Sequence, residues 1–256
     1  MHILINSLLI SLLIQLVFFA IAFANKTDKV TDFSYGLSFA ILALVYFLGS
    51  DFSLARWLLL IMILAWSIRL ASYLFIRILK IKKDSRFDDI RGSFLKFGGF
   101  WLLQAITVWV IASPAVVVLS SEQRLNLGLL SMLGLTVWLI GLTIETIADL
   151  QKFNFKNQPE NKNRWTDIGL WRWSRHPNYF GEMLCWWGVY IFSLPFLSGW
   201  EYWLIISPLY ITSILMFVSG IPPLEERYNQ KFKNNKEYQQ YKNSTSLLVP
   251  LPPKQN

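Results

Sequence analysis

Long blocks of apolar residues, separated by short polar and basic segments, dominate the pattern of this chain. A helix of about 20 apolar residues spans the hydrocarbon core of a bilayer, and only helices or closed barrels satisfy every backbone group there. The blocks do not alternate as barrel strands do, so they predict helices. We count seven candidate spans, which are 3–24, 33–49, 54–79, 97–119, 127–150, 180–197 and 202–219.

The composition agrees with a membrane protein. Of the 256 residues, 54% are hydrophobic and 16% are charged, and a soluble domain of this length would expose much of that apolar surface to water. The first apolar block lacks the flanks of a cleaved signal peptide. Because no internal repeat or linker interrupts the chain, the pattern predicts a single all-α helical-bundle domain over residues 1–256.

Positive charges concentrate in three segments, at 80–96, 152–175 and 227–254. With seven spans, these segments lie on one side of the membrane. The positive-inside rule assigns that side to the cytoplasm, so we expect the N-terminus outside and the C-terminus in the cytoplasm. Topology and attraction to anionic lipid explain the net charge of +8. No basic domain stands clear of the membrane, so we expect no nucleic-acid partner.

A polar stripe runs along the third predicted span. Arg69 lies deep in the span, and Tyr73 and Arg77 follow on the same helical face. A central arginine costs several kcal/mol on insertion scales and normally faces a bundle interior or a wet cavity. The stripe therefore predicts a polar cavity, although Arg77 could equally reach out to the interface.

Two carboxylates, Glu145 and Asp149, lie four residues apart near the cytoplasmic end of the fifth span. They could perform acid–base chemistry or simply pair with the basic loop that follows. The spacing alone does not choose between these interpretations.

The segment 164–182 carries the most specific pattern. Pro177 suits the first turn of a helix, and helix N-termini favour anions such as phosphate. Arg172 and Arg175 precede that turn, while Asn178 and Glu182 share one face of the helix. The segment therefore predicts a binding site for an anionic ligand.

His176 and the aromatic tail leave two interpretations open. The histidine is either a structural cap or a cofactor contact, and no nearby histidine or cysteine supports a metal site. The tail after Glu225 and Glu226 contains Tyr238 and Tyr241. It is either an amphipathic helix on the membrane or a flap over a cofactor at the cytoplasmic face.

The run 145–250 resembles the C-terminal domain of the steroid 5-alpha-reductase superfamily, in particular its bacterial branch. The pieces that carry the resemblance are Glu145-x-x-x-Asp149, Phe155-Lys156, Gly169-Leu170-Trp171, the run from Ser174 to Glu182 through Arg175-His176-Pro177-Asn178-Tyr179, and Tyr238-x-x-Tyr241. Asp84-x-Arg86-Phe87 and Thr31-Asp32-Phe33 extend it to most of the chain. Its specificity is greatest between 145 and 182.

This resemblance implies a membrane reductase that uses NADPH and takes a lipophilic substrate from the bilayer. It implies an integral protein of the bacterial inner membrane with its cofactor site facing the cytoplasm. The sequence contains no Gly-x-Gly-x-x-Gly run, so a Rossmann-type dinucleotide site is not expected. The predicted cofactor-binding residues are Arg69, Arg77, Arg86, Asp149, Lys156, Arg164, Arg172, Arg175, His176, Asn178, Tyr179, Glu182, Tyr238 and Tyr241.

The chain departs from the steroid enzymes at the proton donor. Trp66 stands where they carry a polarising tyrosine, and an indole cannot protonate a substrate. We therefore expect another lipid-soluble enone or alkene as the substrate. Hydride addition to an enone builds negative charge on its oxygen, so a donor must meet it. The predicted catalytic residues are Tyr35 with Asp32, and Tyr73.

Isoprenylcysteine-type membrane methyltransferases, which use S-adenosylmethionine, offer the alternative resemblance. It rests on Arg175-His176-Pro177, Glu225-Glu226 and the two tail tyrosines. The Asp149/Lys156 and Asn178/Glu182 pairs favour the reductase. A lipid-binding scaffold is a third class, but it leaves Arg69 and the basic rim without a ligand.

Overall fold

A computed structural model describes residues 2–49, 53–81, 87–121 and 126–254. Helices dominate these ranges, which contain no β-strand and one isolated bridge, between Ser174 and Ser246. The all-α prediction is therefore confirmed. The α-helices are α1 (His2–Ala24), α2 (Thr31–Leu48), α3 (Leu54–Ile81), α4 (Phe94–Leu119), α5 (Leu129–Asn157), α6 (Pro177–Ser193), α7 (Ile206–Phe217), α8 (Ile221–Lys231) and α9 (Lys236–Ser244).

Six helical segments in the described part of the chain are long and apolar enough to cross a membrane. They are α1 to α5 and the stretch Gly199–Lys231, so the multi-pass membrane class is confirmed. The predicted sixth span, 180–197, coincides with the shorter α6, which is not among these six segments. That helix has 17 residues. At 1.5 Å per residue it reaches about 26 Å, just short of a hydrocarbon core of about 30 Å.

The chain forms two compact units. Unit 1 comprises Met1–Leu135 and Val189–Ser207, and unit 2 comprises Thr136–Gly188 and Pro208–Asn256. The unit boundaries fall inside α5, α6 and α7, so each of these helices contributes residues to both units.

Helix α1 of unit 1 buries polar side chains and exposes apolar ones. The Gln15 amide donates to Ser38 at 2.8 Å, and Gln104 donates to Gln15 at 2.9 Å, so α1, α2 and α4 share one buried network. On α1, Leu13 is 61% exposed while Gln15 is 2% exposed. Polar residues hold helices together where lipid contacts their outer faces, so this inverted pattern fits a bilayer.

Helices α2 and α3 approach closely within unit 1. A Cβ added at Gly36 would lie 3.0 Å from the Cβ of Ala71 and 3.1 Å from the carbonyl oxygen of Ser67, so a small residue is needed there. Near the start of α2, Asp32 accepts a hydrogen bond from Arg77 of α3 at 3.1 Å. The close packing and the ion pair fix these two helices against each other.

Helices α5 and α6 cross at two glycines in unit 2. A Cβ added at Gly141 would lie 2.7 Å from the carbonyl oxygen of Gly181, and one at Gly181 would lie 2.6 Å from the backbone nitrogen of Glu145. Real Cβ atoms do not approach other atoms so closely, so the crossing requires glycine at both positions. This contact brings the start of α6 beside the second half of α5.

Candidate cofactor pocket

The segment that precedes α6 is anchored to α5 within unit 2. Gly169 has a φ of 52°, in the left-handed region that favours glycine, and its added Cβ would collide with Gln151. The same glutamine accepts a hydrogen bond from the backbone nitrogen of Leu170 at 2.9 Å. The Trp171 indole donates to the carbonyl of Ala148, also at 2.9 Å. The loop therefore enters α6 at a fixed position.

The C-terminal tail binds along the other side of this segment. The backbone nitrogen of Arg175 donates to the Ser246 carbonyl at 2.8 Å, and the Ser174 hydroxyl donates to the Leu248 carbonyl at 2.7 Å. Further along the tail, the backbone nitrogen of Leu251 donates to the Trp173 carbonyl at 3.1 Å. These backbone contacts hold the tail, including α9, next to the start of α6.

One carboxylate links the arginine and the histidine of the motif. Glu225 accepts from the Arg175 guanidinium through Oε2, and its Oε1 lies 2.8 Å from His176 Nε2. All three side chains are largely buried. Because a carboxylate beside a guanidinium accepts hydrogen bonds, we assign the imidazole proton to Nε2.

Burial lowers the pKa of His176 below its usual range, although the hydrogen bond to Glu225 opposes this shift. The imidazole is therefore neutral at pH 7, with a lone pair on Nδ1. The backbone nitrogen of His176 donates to the Ser174 hydroxyl at 3.1 Å, which holds the histidine backbone in place. The ring of Tyr179 stacks on the imidazole with centroids 5.7 Å apart.

An aromatic cluster forms one wall of the pocket. Trp165, Phe232 and Tyr238 are buried together, with ring centroids of the tryptophan 5.4 Å and 5.3 Å from the other two. The Tyr241 hydroxyl donates to the backbone of Trp171 at 2.7 Å. Burial raises the pKa of Tyr238 to about 12, so its hydroxyl stays protonated at neutral pH.

Cations lie over two other aromatic rings of unit 2, those of Trp171 and Phe155. The Lys152 ammonium is 4.7 Å from the centroid of the Trp171 ring. Lys156 and Arg164 lie 5.7 Å and 6.0 Å from the ring of Phe155. Cations attract both aromatic faces and anions. This side of unit 2 therefore combines planar stacking surfaces with positive charge.

The pocket holds polar atoms that the protein leaves without partners. Four buried polar atoms of its lining make no hydrogen bond within the described part of the chain: Trp165 Nε1, Thr166 Oγ1, Arg175 Nε and His176 Nδ1. A buried polar group without a partner costs about 1–3 kcal/mol. Four such atoms in one pocket call for an explanation, and a polar ligand or ordered water in the pocket would supply it. The space has an empty volume of about 360 Å³, including its mouth.

Four of the predicted cofactor-binding residues line this pocket, namely Arg175, His176, Tyr238 and Tyr241. Other predicted residues of unit 2 are not among the described residues of the lining: Asp149, Lys156, Arg164, Arg172, Asn178, Tyr179 and Glu182. Arg172 is exposed, and its Nε donates to the Asp167 carbonyl at 3.2 Å. Their roles remain predictions.

The remaining predicted residues belong to unit 1 or lie outside the described ranges. Arg69, Tyr73 and Arg77 occupy α3, while Asp32 and Tyr35 occupy α2. The Asp32–Arg77 ion pair joins two residues that the sequence suggested separately. Arg86 lies outside the described residues.

Six lining residues were not in the predicted set: Lys152, Trp165, Thr166, Trp171, Glu225 and Tyr228. For Glu225 the signal was present, because two adjacent glutamates follow Pro222-Pro223 at the start of α8. The sequence does not say which glutamate faces the histidine. The aromatic residues come from distant segments, so only the folded chain brings them together.

These features define an all-α membrane protein with a pocket that aromatic and charged side chains line. The family described as "Protein of unknown function (DUF1295)" matches residues 18–245, so the chain belongs to the DUF1295 family. The chain is also similar to "Uncharacterized protein C594.04c" of Schizosaccharomyces pombe, with 23% identity over 110 residues. That match covers 36% of this chain and 32% of the relative. No solved structure matches the chain.

Proposed function

We propose that this protein is a membrane-embedded, NADPH-dependent reductase of a carbon–carbon double bond in a lipophilic substrate. The observation that carries the proposal is the set of unpartnered polar atoms in an aromatic pocket bordered by cations. A ligand with planar rings and several negative charges matches all three properties. NADPH has planar rings at both ends and phosphates between them.

The residues present fit such a cofactor. Lys152 and Arg175 line the pocket, and Lys156 and Arg164 lie beside it over Phe155. These cations would hold phosphate groups, while the aromatic wall would hold a ring. The resemblance to the steroid 5-alpha-reductase superfamily supports the same choice, since its members use NADPH. When bound, the cofactor supplies the hydride for the reduction.

The chain must supply a proton donor for the substrate. Tyr35, with Asp32 on the same helix, is our proposed donor, and Tyr73 is proposed to support Arg69. A tyrosine hydroxyl can donate to a carbonyl oxygen that gains negative charge, whereas the indole of Trp66 cannot protonate it. The apolar outer faces of the helices suit a substrate that arrives through the lipid.

A methyltransferase is the second candidate, because one specific contact favours it. Glu225 binds both Arg175 and His176, so two pieces of the methyltransferase-like pattern contact each other in the pocket. S-adenosylmethionine carries no phosphate, however. Binding of S-adenosylmethionine therefore does not explain the additional positive charges of Lys152, Lys156 and Arg164.

Ligand-dependent stability tests the cofactor. The thermal unfolding temperature of the purified protein in detergent is expected to rise more with NADPH than with NADH or S-adenosylmethionine. A ligand that binds only the folded state raises apparent stability. Lys156→Ala and Arg164→Ala should each weaken NADPH binding by roughly 10- to 100-fold, since one charge-assisted phosphate contact contributes about 1.5–3 kcal/mol.

Lys162→Ala is the matched control, because this exposed lysine lies in the same loop. It should leave NADPH binding unchanged. Equal stabilisation by NADPH and NADH would contradict a role for these cations at the 2′-phosphate. Stabilisation by S-adenosylmethionine alone would reject the reductase and favour the methyltransferase.

We further propose that α6 crosses the membrane as a seventh span, with the N-terminus outside and the pocket facing the cytoplasm of a bacterial cell. The basic segments 80–96, 152–175 and 227–254 support this topology. Reporter fusions at the C-terminus, near Arg164 and near Arg86 should all report a cytoplasmic position. A periplasmic signal from any of these fusions would refute the seven-span topology.

A further inference from the structure

Unit 1 contains a second cavity, which the proposed reduction does not use. The first turn of α1 and the C-terminal end of α4 border it, and its empty volume is about 510 Å³, including its mouth. Aromatic and polar side chains line the rest: Phe196, Trp200, Ser120, Ser121, Ser198 and Glu201. Glu201 is the only charged side chain in the described lining.

The carboxylate of Glu201 is held in a fixed orientation. Its Oε2 accepts from the backbone nitrogen of Ser198 at 2.9 Å and from the Ser198 hydroxyl at 3.2 Å. Together these residues form a capping box at the start of the helical turn Gly199–Ile205. No cation in the described part of the chain pairs with Glu201. The cavity therefore presents an oriented carboxylate that no cation of the described residues pairs with.

A guanidinium contacts Ser121, one of the lining residues. Arg56 is 1% exposed and donates to the backbone carbonyl of Ser121. It is absent from the described lining, so a ligand in the cavity would meet Glu201 rather than Arg56. The lining hydroxyls can also accept hydrogen bonds.

The surroundings of the cavity have the residue types that are typical of a membrane–water interface. Trp200, Tyr202 and Trp203 are 49%, 50% and 78% exposed in one short turn. Tryptophan and tyrosine concentrate where lipid head groups meet the hydrocarbon. The adjoining Ile3 is also exposed, as expected of a helix that contacts lipid. This exposure pattern therefore favours lipid head groups as the class of ligand for the cavity.

We propose that the cavity binds the primary ammonium head group of a phospholipid of the phosphatidylethanolamine type. The ammonium has three donors for the Glu201 carboxylate and the serine oxygens. An indole such as that of Trp200 attracts a cation as well. A quaternary ammonium cannot donate a hydrogen bond, and a head group with net negative charge would be repelled by the carboxylate.

Native mass spectrometry of the full chain tests this proposal with three lipids that share the same acyl chains. The wild-type protein should bind phosphatidylethanolamine about tenfold more tightly than phosphatidylglycerol or phosphatidylcholine. Glu201→Gln should abolish this preference. Glutamine also serves in a capping box, so the variant keeps the local fold while it removes the charge.

Two controls make the result independent of folding and of the proposed reductase. Glu160→Gln removes an exposed carboxylate of unit 2 and should keep the preference. N-acetylated phosphatidylethanolamine, which lacks the ammonium, should bind the wild-type protein about tenfold more weakly than the parent lipid. Equal binding of the lipids, or an unchanged preference in Glu201→Gln, overturns the proposal. Stabilisation by NADPH is expected to be the same with and without this substitution.

Discussion

Replacing Glu225 by glutamine is expected to lower the free energy of unfolding by about 3–5 kcal/mol, because it leaves a buried guanidinium without its counter-ion. The side chains of Arg175 and Glu225 are 13% and 17% exposed, so solvent screens the pair only weakly. The same change removes the carboxylate that orients His176. Binding of the cofactor should therefore fall together with stability.

The neighbouring residue provides a matched control. Glu226 is exposed and accepts from Gln230 at 2.6 Å, so Glu226→Gln should change the free energy of unfolding by less than about 0.5 kcal/mol. Denaturant titration in mixed micelles measures both variants. Equal losses for the two glutamates would show that the contact with Arg175 does not stabilise the pocket.

The membrane class could be predicted from the sequence because the bilayer imposes it. Apolar blocks long enough to cross the hydrocarbon core must be helical, and α1 to α4 follow the predicted blocks within three residues. Helix α5 extends to Asn157, seven residues beyond the predicted block 127–150. The number of spans is a finer question. Helix α6 is short and ends in a turn that contains Pro195, so its length alone does not decide whether it spans.

The pocket could be predicted only in part, because its residues come from three separate segments. Arg175 and His176 share a local motif with Pro177, and that motif marked them in the sequence. Their partner Glu225 lies 49 residues beyond His176. Charge alone cannot separate it from Glu226, since only the rotation of α8 decides which glutamate faces the pocket.

In unit 1, too, the sequence marked individual polar residues but not the contacts between them. The stripe on α3 was visible from its spacing, and Asp32 was visible from its position on α2. Their pairing through Arg77 depends on the close approach of the two helices at Gly36. The lack of a side chain at Gly36 thus allows the Asp32–Arg77 contact. The spacing of polar residues within each helix does not predict this contact.

In the proposed reductase, Tyr35→Phe is expected to lower turnover by about 10²–10⁴-fold while NADPH still binds, because the substrate loses its proton donor. The ring of Tyr35 packs edge-on against Phe39, with centroids 5.2 Å apart, and phenylalanine can keep this contact. The fold should therefore be retained. Oxidation of NADPH in the presence of a panel of lipophilic enones measures the effect.

Tyr73→Phe is the matched comparison, since it removes one hydroxyl from the neighbouring helix α3. If Tyr73 only supports Arg69, this variant should keep most of the turnover. Asp32→Asn, which disrupts the ion pair with Arg77, should reduce turnover if the carboxylate orients the donor. Full turnover in Tyr35→Phe together with a large loss in Tyr73→Phe would move the donor to α3, without changing the cofactor assigned to the pocket of unit 2.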